Sequence, residues 1–253
     1  GLPFLAKDRT EQMPLVIGGG PCTYNPEPVA DFFDLFYIGE GETSYDELFD
    51  LYKKAKKEGW NRREFLVRAA SVPGIYVPML YDVTYHQDGT VLKMQPNTKG
   101  VPETVQKQVV MDFSDAVYPT KPVVPFLKIT QDRVVLEVMR GCIRGCRFCQ
   151  AGQIYRPTRE KRVEVLKKYA DEMLRSTGYD EISLTSLSTS DYTELEELIN
   201  YLIDRFKDKG VNISLPSLRI DAFSLDVMKK VQDIRKSSLT FAPEAGSQKM
   251  RDI

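Results

Sequence analysis

The chain has 253 residues, 42% of them apolar and 28% charged, which is the composition of an ordinary globular protein. Its 35 lysines and arginines almost balance 36 aspartates and glutamates, so the net charge of −1 gives no overall basic surface for nucleic acid or an anionic membrane. No apolar run reaches the ~18 residues of a membrane helix and no amino-terminal signal is visible, so we expect a cytoplasmic protein that does not bind membranes.

The first predicted elements are a strand at 14–17, a short helix at 28–34 and a second strand at 35–38. Glycine-rich turns follow both strands, at 18–20 and at 39–42. Two apolar strands joined by a helix predict a βαβ unit, part of a Rossmann-like α/β domain with a parallel sheet. The glycines would let the backbone approach a ligand at the carboxyl edge of that sheet.

Two helices and a β-rich stretch come next. Acidic residues at the start of 43–59 and lysines at its end predict one helix, and Asn61 can cap another that runs to about residue 70. Asp88-Gly89, between the apolar stretches 81–85 and 90–94, predicts a β-hairpin, and we interpret His86 within it as a surface residue. Three prolines between 117 and 125 predict a linker, with a domain boundary near 120–130.

The remaining chain alternates strands and helices. We predict strands at 134–139, 181–187, 211–215 and 238–242, and helices at 160–175, 192–208 and 225–235. Asp191 and Glu194 have the spacing of a capping box at the start of the second of these helices. Parallel strands that are each followed by a helix cross over right-handed and curl toward a barrel, although four strands do not close one.

Three of the four cysteines lie in one glycine-rich loop directly after the strand 134–139. Cys142, Cys146 and Cys149 can converge on one soft metal centre, either tetrahedral zinc or an iron–sulfur cluster. Both normally take four protein ligands in a purely structural site, so three cysteines leave a coordination position open for a substrate or cofactor. The alternatives are a structural zinc site completed by the fourth cysteine or the single histidine, and three unrelated buried cysteines.

At this loop the sequence resembles the radical S-adenosylmethionine (SAM) superfamily, whose C-x3-C-x2-C motif is matched by the three cysteines, with Phe148 as the aromatic residue before the last. The resemblance implies a [4Fe–4S] cluster held by the three thiolates, whose fourth iron chelates the amino and carboxylate groups of SAM. An electron from a reductant protein of the flavodoxin or ferredoxin type would then break the sulfur–C5′ bond. The resulting 5′-deoxyadenosyl radical would abstract hydrogen from a substrate.

The resemblance also implies a six-stranded partial (β/α) barrel that continues beyond residue 253, with SAM bound where the strands end. The second strand end carries Ser186 and Ser188 where the superfamily usually has a Gly-Gly-Glu-like motif, so hydroxyls and carbonyls would replace a carboxylate. We predict that Arg219 at the third end pairs with the SAM carboxylate and that Glu244 at the fourth end takes both ribose hydroxyls. The alternatives are helix capping at the second end, a surface arginine and a solvent-facing glutamate.

The first segment resembles the second half of the cobalamin-binding domain that precedes the catalytic domain in many radical SAM proteins, because a strand ending in Gly-Gly is followed by a Gly-Glu-Gly-Glu turn. The D-x-H-x-x-G motif that supplies a lower axial histidine in other cobalamin proteins is absent, and Cys22 and Thr23 lie near the ligand edge instead. Cobalamin as a cofactor and a degenerate, ligand-free spacer are therefore both open.

Basic residues crowd the cysteine loop and the helix after it. The range 140–168 contains two acidic residues, Glu160 and Glu164, and nine basic ones. The basic residues are Arg140, Arg144, Arg147, Arg156, Arg159, Lys161, Arg162, Lys167 and Lys168. Their charge can offset an anionic thiolate-bound cluster. It could also hold a phosphate-bearing substrate such as RNA, as in the methylthiotransferase relatives, or form a solvated helix face.

We therefore expect three parts: the second half of a cobalamin-binding-like domain at 1–72, a β-hairpin connector with a proline-rich linker at 73–130, and a truncated radical SAM partial barrel at 131–253. The expected function is reductive cleavage of SAM that starts radical chemistry, such as methyl or methylthio transfer, on an unidentified substrate. A non-catalytic structural zinc or nucleic-acid-binding module is the alternative. Because the chain starts without methionine and stops soon after a strand, we expect it to be a fragment of a longer protein.

Overall fold

The computed structural model describes residues 1–219, 229–231, 241–243 and 245–251. The chain divides into two compact units, Gly1–Val110 and Met111–Ile253. Most of the predicted helix 225–235 and of the predicted strand 238–242 lies outside the described residues. No described helix is both long enough and apolar enough to cross a membrane.

The sheet of the first unit has three strands in the order β1 (Ile17–Gly18), β2 (Leu35–Tyr37) and β3 (Ile75–Tyr76). β1 and β2 are parallel, as predicted, and β3 is antiparallel to β2. β1 begins later than predicted because Pro14 has no N–H to donate and the Val16 N–H donates to Asp34 Oδ2 at 2.7 Å instead of to a strand. The connection between β1 and β2 contains a 3₁₀ helix, Glu27–Phe32, at the place of the short helix predicted at 28–34.

Two α-helices of this unit follow the prediction closely. They are α1 (Tyr45–Glu58) and α2 (Arg62–Ala69). Gly59 ends α1 in the left-handed conformation, φ +71°, with its N–H donating to Ala55 O. Asn61 caps α2, since its side-chain oxygen accepts from the Glu64 N–H at 2.8 Å. The apolar faces of both helices, including Leu48, are buried in one core with β2 and β3.

The predicted β-hairpin is confirmed. Its antiparallel strands are β4 (Tyr81–Tyr85) and β5 (Val91–Pro96). The Thr90 N–H donates to Asp88 Oδ1 at 3.0 Å and Gly89 has φ +83°, so these two residues make the turn that their types favour. His86 is exposed in this turn, as interpreted from the sequence. The remaining 3₁₀ helices of the unit are Ala6–Asp8, Pro21–Tyr24 and Pro78–Leu80.

The second unit is built on parallel strands, which confirms the predicted α/β class. Among the described residues its strands in chain order are β6 (Val134–Glu137), β7 (Met139–Arg140), β8 (Arg159–Glu160), β9 (Glu181–Thr185), β10 (Asn212–Ser214), β11 (Leu218–Arg219) and β12 (Phe241–Ala242). The main sheet has the order β10-β9-β6. β9 pairs in parallel with both β6 and β10. β11 and β12 form a second parallel pair, and β7 and β8 a short antiparallel one.

Helices alternate with these strands as the periodicity predicts. Those whose bounds lie within the described residues are α3 (Gln150–Ile154), α4 (Val163–Thr177), α5 (Leu195–Phe206) and α6 (Gln248–Arg251), with 3₁₀ helices at Thr189–Asp191 and Lys207–Lys209. α4 and α5 bury the predicted faces, such as Leu166 and Leu202, against the main sheet. α4 ends at Gly178, whose N–H donates to Leu174 O at 2.9 Å. It begins later than predicted because the residues before it form β8.

The predicted capping box at the start of α5 is wrong. The helix begins at Leu195 after Glu194 at the capping position, and no side-chain hydrogen bond caps its first turn. Glu194 instead accepts from the Val163 N–H at 3.2 Å, at the start of α4. Asp191 lies in a 3₁₀ helix and bonds to side chains outside α5. Tertiary partners have therefore taken both capping groups.

A buried lysine of the second unit contacts the chain shortly after residue 110. Lys161 is 1% exposed; its Nζ donates to Phe113 O at 3.1 Å and lies 4.1 Å from the centre of the Phe113 ring. The Tyr118 hydroxyl donates to Val135 O at 2.7 Å, and its ring stacks on Tyr169. These bonds fasten the first part of the proline-rich stretch to the unit. The division into functional parts at 72/73 and 130/131 stays a prediction.

Candidate functional site

The cysteine loop leaves the carboxyl end of β7, directly beyond the first strand of the main sheet. Gly141 opens it with φ +84°. A Cβ on Gly141 would come within 2.8–2.9 Å of backbone atoms of Tyr155, Pro157 and Thr158. The returning chain therefore lies against the start of the loop, and glycine is needed there for both its conformation and its size.

All three thiols of the loop are free and partly exposed. Cys149 precedes α3 at the capping position, and its Sγ accepts from the Gly152 N–H at 3.4 Å. The Cys149 N–H donates to Cys146 O at 3.1 Å, which turns the second half of the loop. Among the described residues, no three cysteine, histidine, aspartate or glutamate side chains form a group that could hold one metal ion. The assignment of Cys142, Cys146 and Cys149 as ligands stays a prediction.

The residues present are compatible with an iron–sulfur cluster. The donor set is three accessible thiols on a glycine-containing loop, and thiolate is the ligand that such clusters take. Gly145, which directly precedes the second cysteine of the loop, has φ +65°. The backbone therefore turns there in a conformation that would be strained for a residue with a side chain. Phe148 is 75% exposed and is not packed into the apolar core. Its predicted role at the cofactor stays a prediction.

In the turn after β9, the second strand end, the serine and threonine hydroxyl groups form hydrogen bonds within the turn. Ser188 is 1% exposed, and its Oγ donates to Asp191 Oδ2 at 2.7 Å. The Ser188 N–H donates to Ser186 Oγ at 3.2 Å, and that oxygen lies 3.1 Å from Thr189 Oγ1. The two serines predicted to contact SAM thus already bond within the turn. Ser186 is the more exposed of the two.

An ion pair that no sequence pattern predicts joins this turn to the cysteine loop. Arg144 Nε donates to Asp191 Oδ2 at 2.8 Å, and Arg144 Nη2 donates to Oδ1. The Arg144 guanidinium holds the pKa of the Asp191 carboxyl below its ordinary value; partial burial opposes this, and the Ser188 hydroxyl adds to it. The two residues are 47 positions apart, so no local spacing rule could have paired them.

The third strand end lies against the second. The Thr189 N–H donates to Ser217 O and the Arg219 N–H donates to Ser190 Oγ, both at 3.3 Å. Ser217 has φ +62°, an unusual conformation for a residue with a side chain. The structure therefore brings the predicted residue Arg219 to the same edge as the serines. The predicted residue Glu244 lies outside the described residues.

Many of the basic residues near the loop are engaged inside the unit. Arg159 and Lys161 are buried. Besides the Arg144–Asp191 pair, ion pairs join Arg140 to Glu137, Arg162 to Asp115, Lys167 to Glu164 and Glu197, and Lys168 to Glu172. The charges of these paired residues are thus balanced locally, and Lys167 and Lys168 lie on α4 as part of a salt-bridged helix face.

In the first unit the glycine turns lie at the carboxyl ends of β1 and β2. Thr23, at 5% exposure, donates from Oγ1 to Gly20 O at 2.7 Å, whereas Cys22 is exposed. A cavity of about 640 Å³ lies near the opposite edge of this sheet and is lined by Asp34 and Tyr76 among others. The predicted ligand edge and this cavity are therefore different places.

Comparison with known proteins identifies both parts of the chain. Residues 1–78 match the family described as radical SAM proteins, N-terminal, and residues 136–253 match the radical SAM superfamily. An uncharacterized protein of Methanocaldococcus jannaschii is 32% identical over 252 residues, which are 98% of this chain and 47% of that protein. The chain thus spans about half the length of this curated relative.

Two solved structures resemble the chain at low identity. The radical SAM methyltransferase TsrM from Kitasatospora setae, with cobalamin and a [4Fe–4S] cluster bound, has a TM-score of 0.46 at 16% identity, over 87% of this chain and 39% of TsrM. The cobalamin-dependent SAM radical enzyme OxsB, with aqua-cobalamin and SAM bound, has a TM-score of 0.49 at 18% identity, over 87% of this chain and 28% of OxsB.

Proposed function

Because the chain belongs to the radical SAM superfamily, whose cofactors are a [4Fe–4S] cluster and SAM, we propose that it carries the site at which such an enzyme cleaves SAM reductively. The observation that carries the proposal is the C-x3-C-x2-C loop at the carboxyl end of the first strand of a parallel sheet, with its three thiols free. A cluster bound there would supply the electron that breaks the sulfur–C5′ bond of SAM.

We assign Cys142, Cys146 and Cys149 as the three ligands. Gly141 and Gly145 supply the two left-handed turns that let the loop wrap around a group larger than a single ion. Three ligands leave one coordination position for SAM, which distinguishes this site from a closed structural zinc site with four protein ligands.

We assign the SAM-facing side to the ends of the next strands. Ser186, on the more exposed side of its turn, and Arg219 are the proposed contacts for the amino and carboxylate groups. Ser188 is buried with its hydroxyl donated to Asp191, so we assign it to the shape of the turn. Glu244 is the proposed ribose contact.

The proposed reaction needs one electron for each SAM cleaved, which a reductant protein of the flavodoxin or ferredoxin type would supply. We assign no substrate class, because the arginines that could hold RNA phosphates include several that are paired within the unit. Cobalamin is a candidate ligand of the first unit, at the glycine turns after β1 and β2. A ligand-free spacer is the other candidate role for this unit.

Anaerobic reconstitution of the full chain tests the proposal. We expect about four irons with matching sulfide per chain, and methionine with 5′-deoxyadenosine after addition of SAM and a chemical reductant. One tightly bound zinc without visible charge-transfer absorbance would overturn the cluster assignment and favour the structural zinc module. A cluster that forms but never cleaves SAM would overturn the catalytic part alone.

A further inference from the structure

An ion pair joins the cysteine loop to the end of a different strand. Arg144 stands between the first two cysteines, and its guanidinium meets the Asp191 carboxylate at two points, one of them the 2.8 Å Nε–Oδ2 bond. A bond between two planar groups at two points fixes orientation as well as distance. The loop backbone at Arg144 therefore has a defined place relative to the end of β9.

The carboxylate is itself held firmly. Ser188 Oγ donates to Asp191 Oδ2 at 2.7 Å, and Ser188 is buried. The turn that contains both residues is bonded to the third strand end through Thr189 and Ser190. Asp191 is thus anchored to the sheet, and Arg144 is the residue that comes to it from the loop.

An ordinary surface ion pair would not have this effect, since exposed pairs contribute little to stability. The Asp191 side chain is 4% exposed and the Arg144 side chain 29% exposed. A buried carboxylate that loses its cationic partner is strongly unfavourable. The folded unit therefore favours conformations of the loop in which Arg144 stays at Asp191.

We infer that Asp191 is a positioning residue for the cysteine loop. By holding Arg144 it sets the place of the loop between Cys142 and Cys146 relative to the strand end that we assign to SAM. Asp191 touches neither cofactor in this role, because its oxygens are taken by Arg144 and Ser188. The inference rests on the proposed function, since it concerns how a cluster is held within reach of SAM.

Two variants of the full chain test the inference. Asp191→Asn keeps the shape of the side chain and removes its charge, and Arg144→Lys keeps a charge but cannot bond at two points. Asp171→Asn is the matched control in the same unit, because Asp171 accepts from Arg205 Nε at 2.9 Å and from the Tyr201 hydroxyl at 2.7 Å between α4 and α5. All three carry the cluster ligands unchanged.

The measurement is the rate at which an iron chelator removes iron from the reconstituted proteins, together with SAM titration followed by the electron paramagnetic resonance of the reduced protein. We expect Asp191→Asn and Arg144→Lys to release iron about tenfold faster than wild type and to need about tenfold more SAM for the spectral change. The control should match wild type in both. The double variant should be no worse than the worse single variant, because both changes remove one interaction.

Iron release and SAM titration like those of wild type in both variants would overturn the positioning role. So would iron release from Asp171→Asn that is as fast as from the two variants, or effects that add in the double variant. Circular dichroism of the iron-free proteins checks that each one folds. Where Asp191→Asn does not fold, Arg144→Lys alone decides, since it leaves the buried carboxylate with a cation. A wild-type chain that takes up no iron would overturn the proposed function and this inference together.

Discussion

Each unit buries an aspartate that is paired with arginine, and the two aspartates lie at opposite ends of their strands. In the first unit Asp34 immediately precedes β2 and is 2% exposed at its side chain. It accepts from Arg9 Nη1 at 2.9 Å, from Arg62 Nε at 3.3 Å and from the Val16 N–H at 2.7 Å. In the second unit Asp191 follows β9 and holds one arginine from the cysteine loop.

We interpret the difference as that between a structural carboxylate and one beside the proposed site. The partners of Asp34 fasten segments to one another: Arg9 also donates to Phe32 O at 2.7 Å and Arg62 to Met13 O at 2.9 Å. Ligands of open α/β sheets bind beyond the carboxyl ends of the strands, and Asp191 is at such an end whereas Asp34 is not. Burial does not distinguish the two aspartates, whereas their positions along the strands do.

The largest expected effect is on iron content, when the cysteines of the two units are replaced one at a time. Replacing any one of Cys142, Cys146 or Cys149 by alanine should abolish iron binding, because a three-thiolate site has no spare ligand. Cys22→Ala in the first unit should leave the iron content unchanged. Iron and sulfide analysis after anaerobic reconstitution measures this. Loss of iron in Cys22→Ala would mean a closed four-cysteine site without room for SAM.

Replacing the structural aspartate should change stability and leave iron content alone. Asp34→Ala leaves Arg9, 4% exposed at its side chain, without its acidic partner, so we expect the first unit to lose about 3–5 kcal/mol of unfolding free energy. The single tryptophan, Trp60, lies in this unit and reports its unfolding in urea by fluorescence.

The control for this change is Asp50→Ala, because Asp50 pairs with Lys53 in full contact with solvent. It should unfold like wild type. An unfolding midpoint of Asp34→Ala equal to that of the control would mean that the Asp34 network is not structural. Loss of iron in Asp34→Ala without loss of stability would erase the distinction between the two aspartates.

Local sequence signals predicted the elements whose causes are themselves local. Gly59 and Gly178 end helices because each adopts a left-handed conformation that completes the last turn. Asp88 and Gly89 form the hairpin turn for the same kind of reason. The cysteine spacing lies within eight residues, so its predicted place after a strand needed no tertiary information.

Tertiary partners decided what the sequence could not predict. Asp191 has the type and spacing of a helix cap, but the Arg144 guanidinium and the Ser188 hydroxyl bind its carboxylate instead. Lys161 reads as part of a basic helix face, whereas three aromatic rings surround its buried ammonium group. Where a side chain has several possible partners, the tertiary structure determines which of them it binds. A pattern in one sequence does not predict that partner.

A smaller effect, on SAM affinity, is expected for Glu244→Gln at the fourth strand end. Glu244 lies two residues beyond β12, which pairs in parallel with β11. Loss of a charge-assisted hydrogen bond to ribose should weaken SAM binding by roughly 1.5–3 kcal/mol, with iron content unchanged. SAM titration of reconstituted wild type and variant measures this. Equal affinities would assign Glu244 to a solvent-facing role.

The smallest expected effect is the pH dependence of the Asp191 ion pair. The Arg144 guanidinium holds the Asp191 pKa below the ordinary value of 3.8, partial burial acts against it, and the Ser188 hydroxyl and the charge of Arg219 add to the lowering. A pKa that is lower in the folded chain than in the unfolded chain adds stability above the unfolded value, about 4. That contribution is lost as the pH falls from about 4 through the folded pKa.

The expected result is a difference in unfolding free energy between wild type and Asp191→Asn that is constant from pH 8 to 6 and shrinks as the pH falls below about 4. Urea unfolding of the iron-free proteins, followed by circular dichroism at several pH values, measures it without interference from an acid-labile cluster. A difference that is the same at pH 3.5 as at pH 7 would mean that Asp191 is not held ionised by Arg144. The ion pair would then lack the strength to position the cysteine loop, and the distinction between the two buried aspartates would depend on their positions alone.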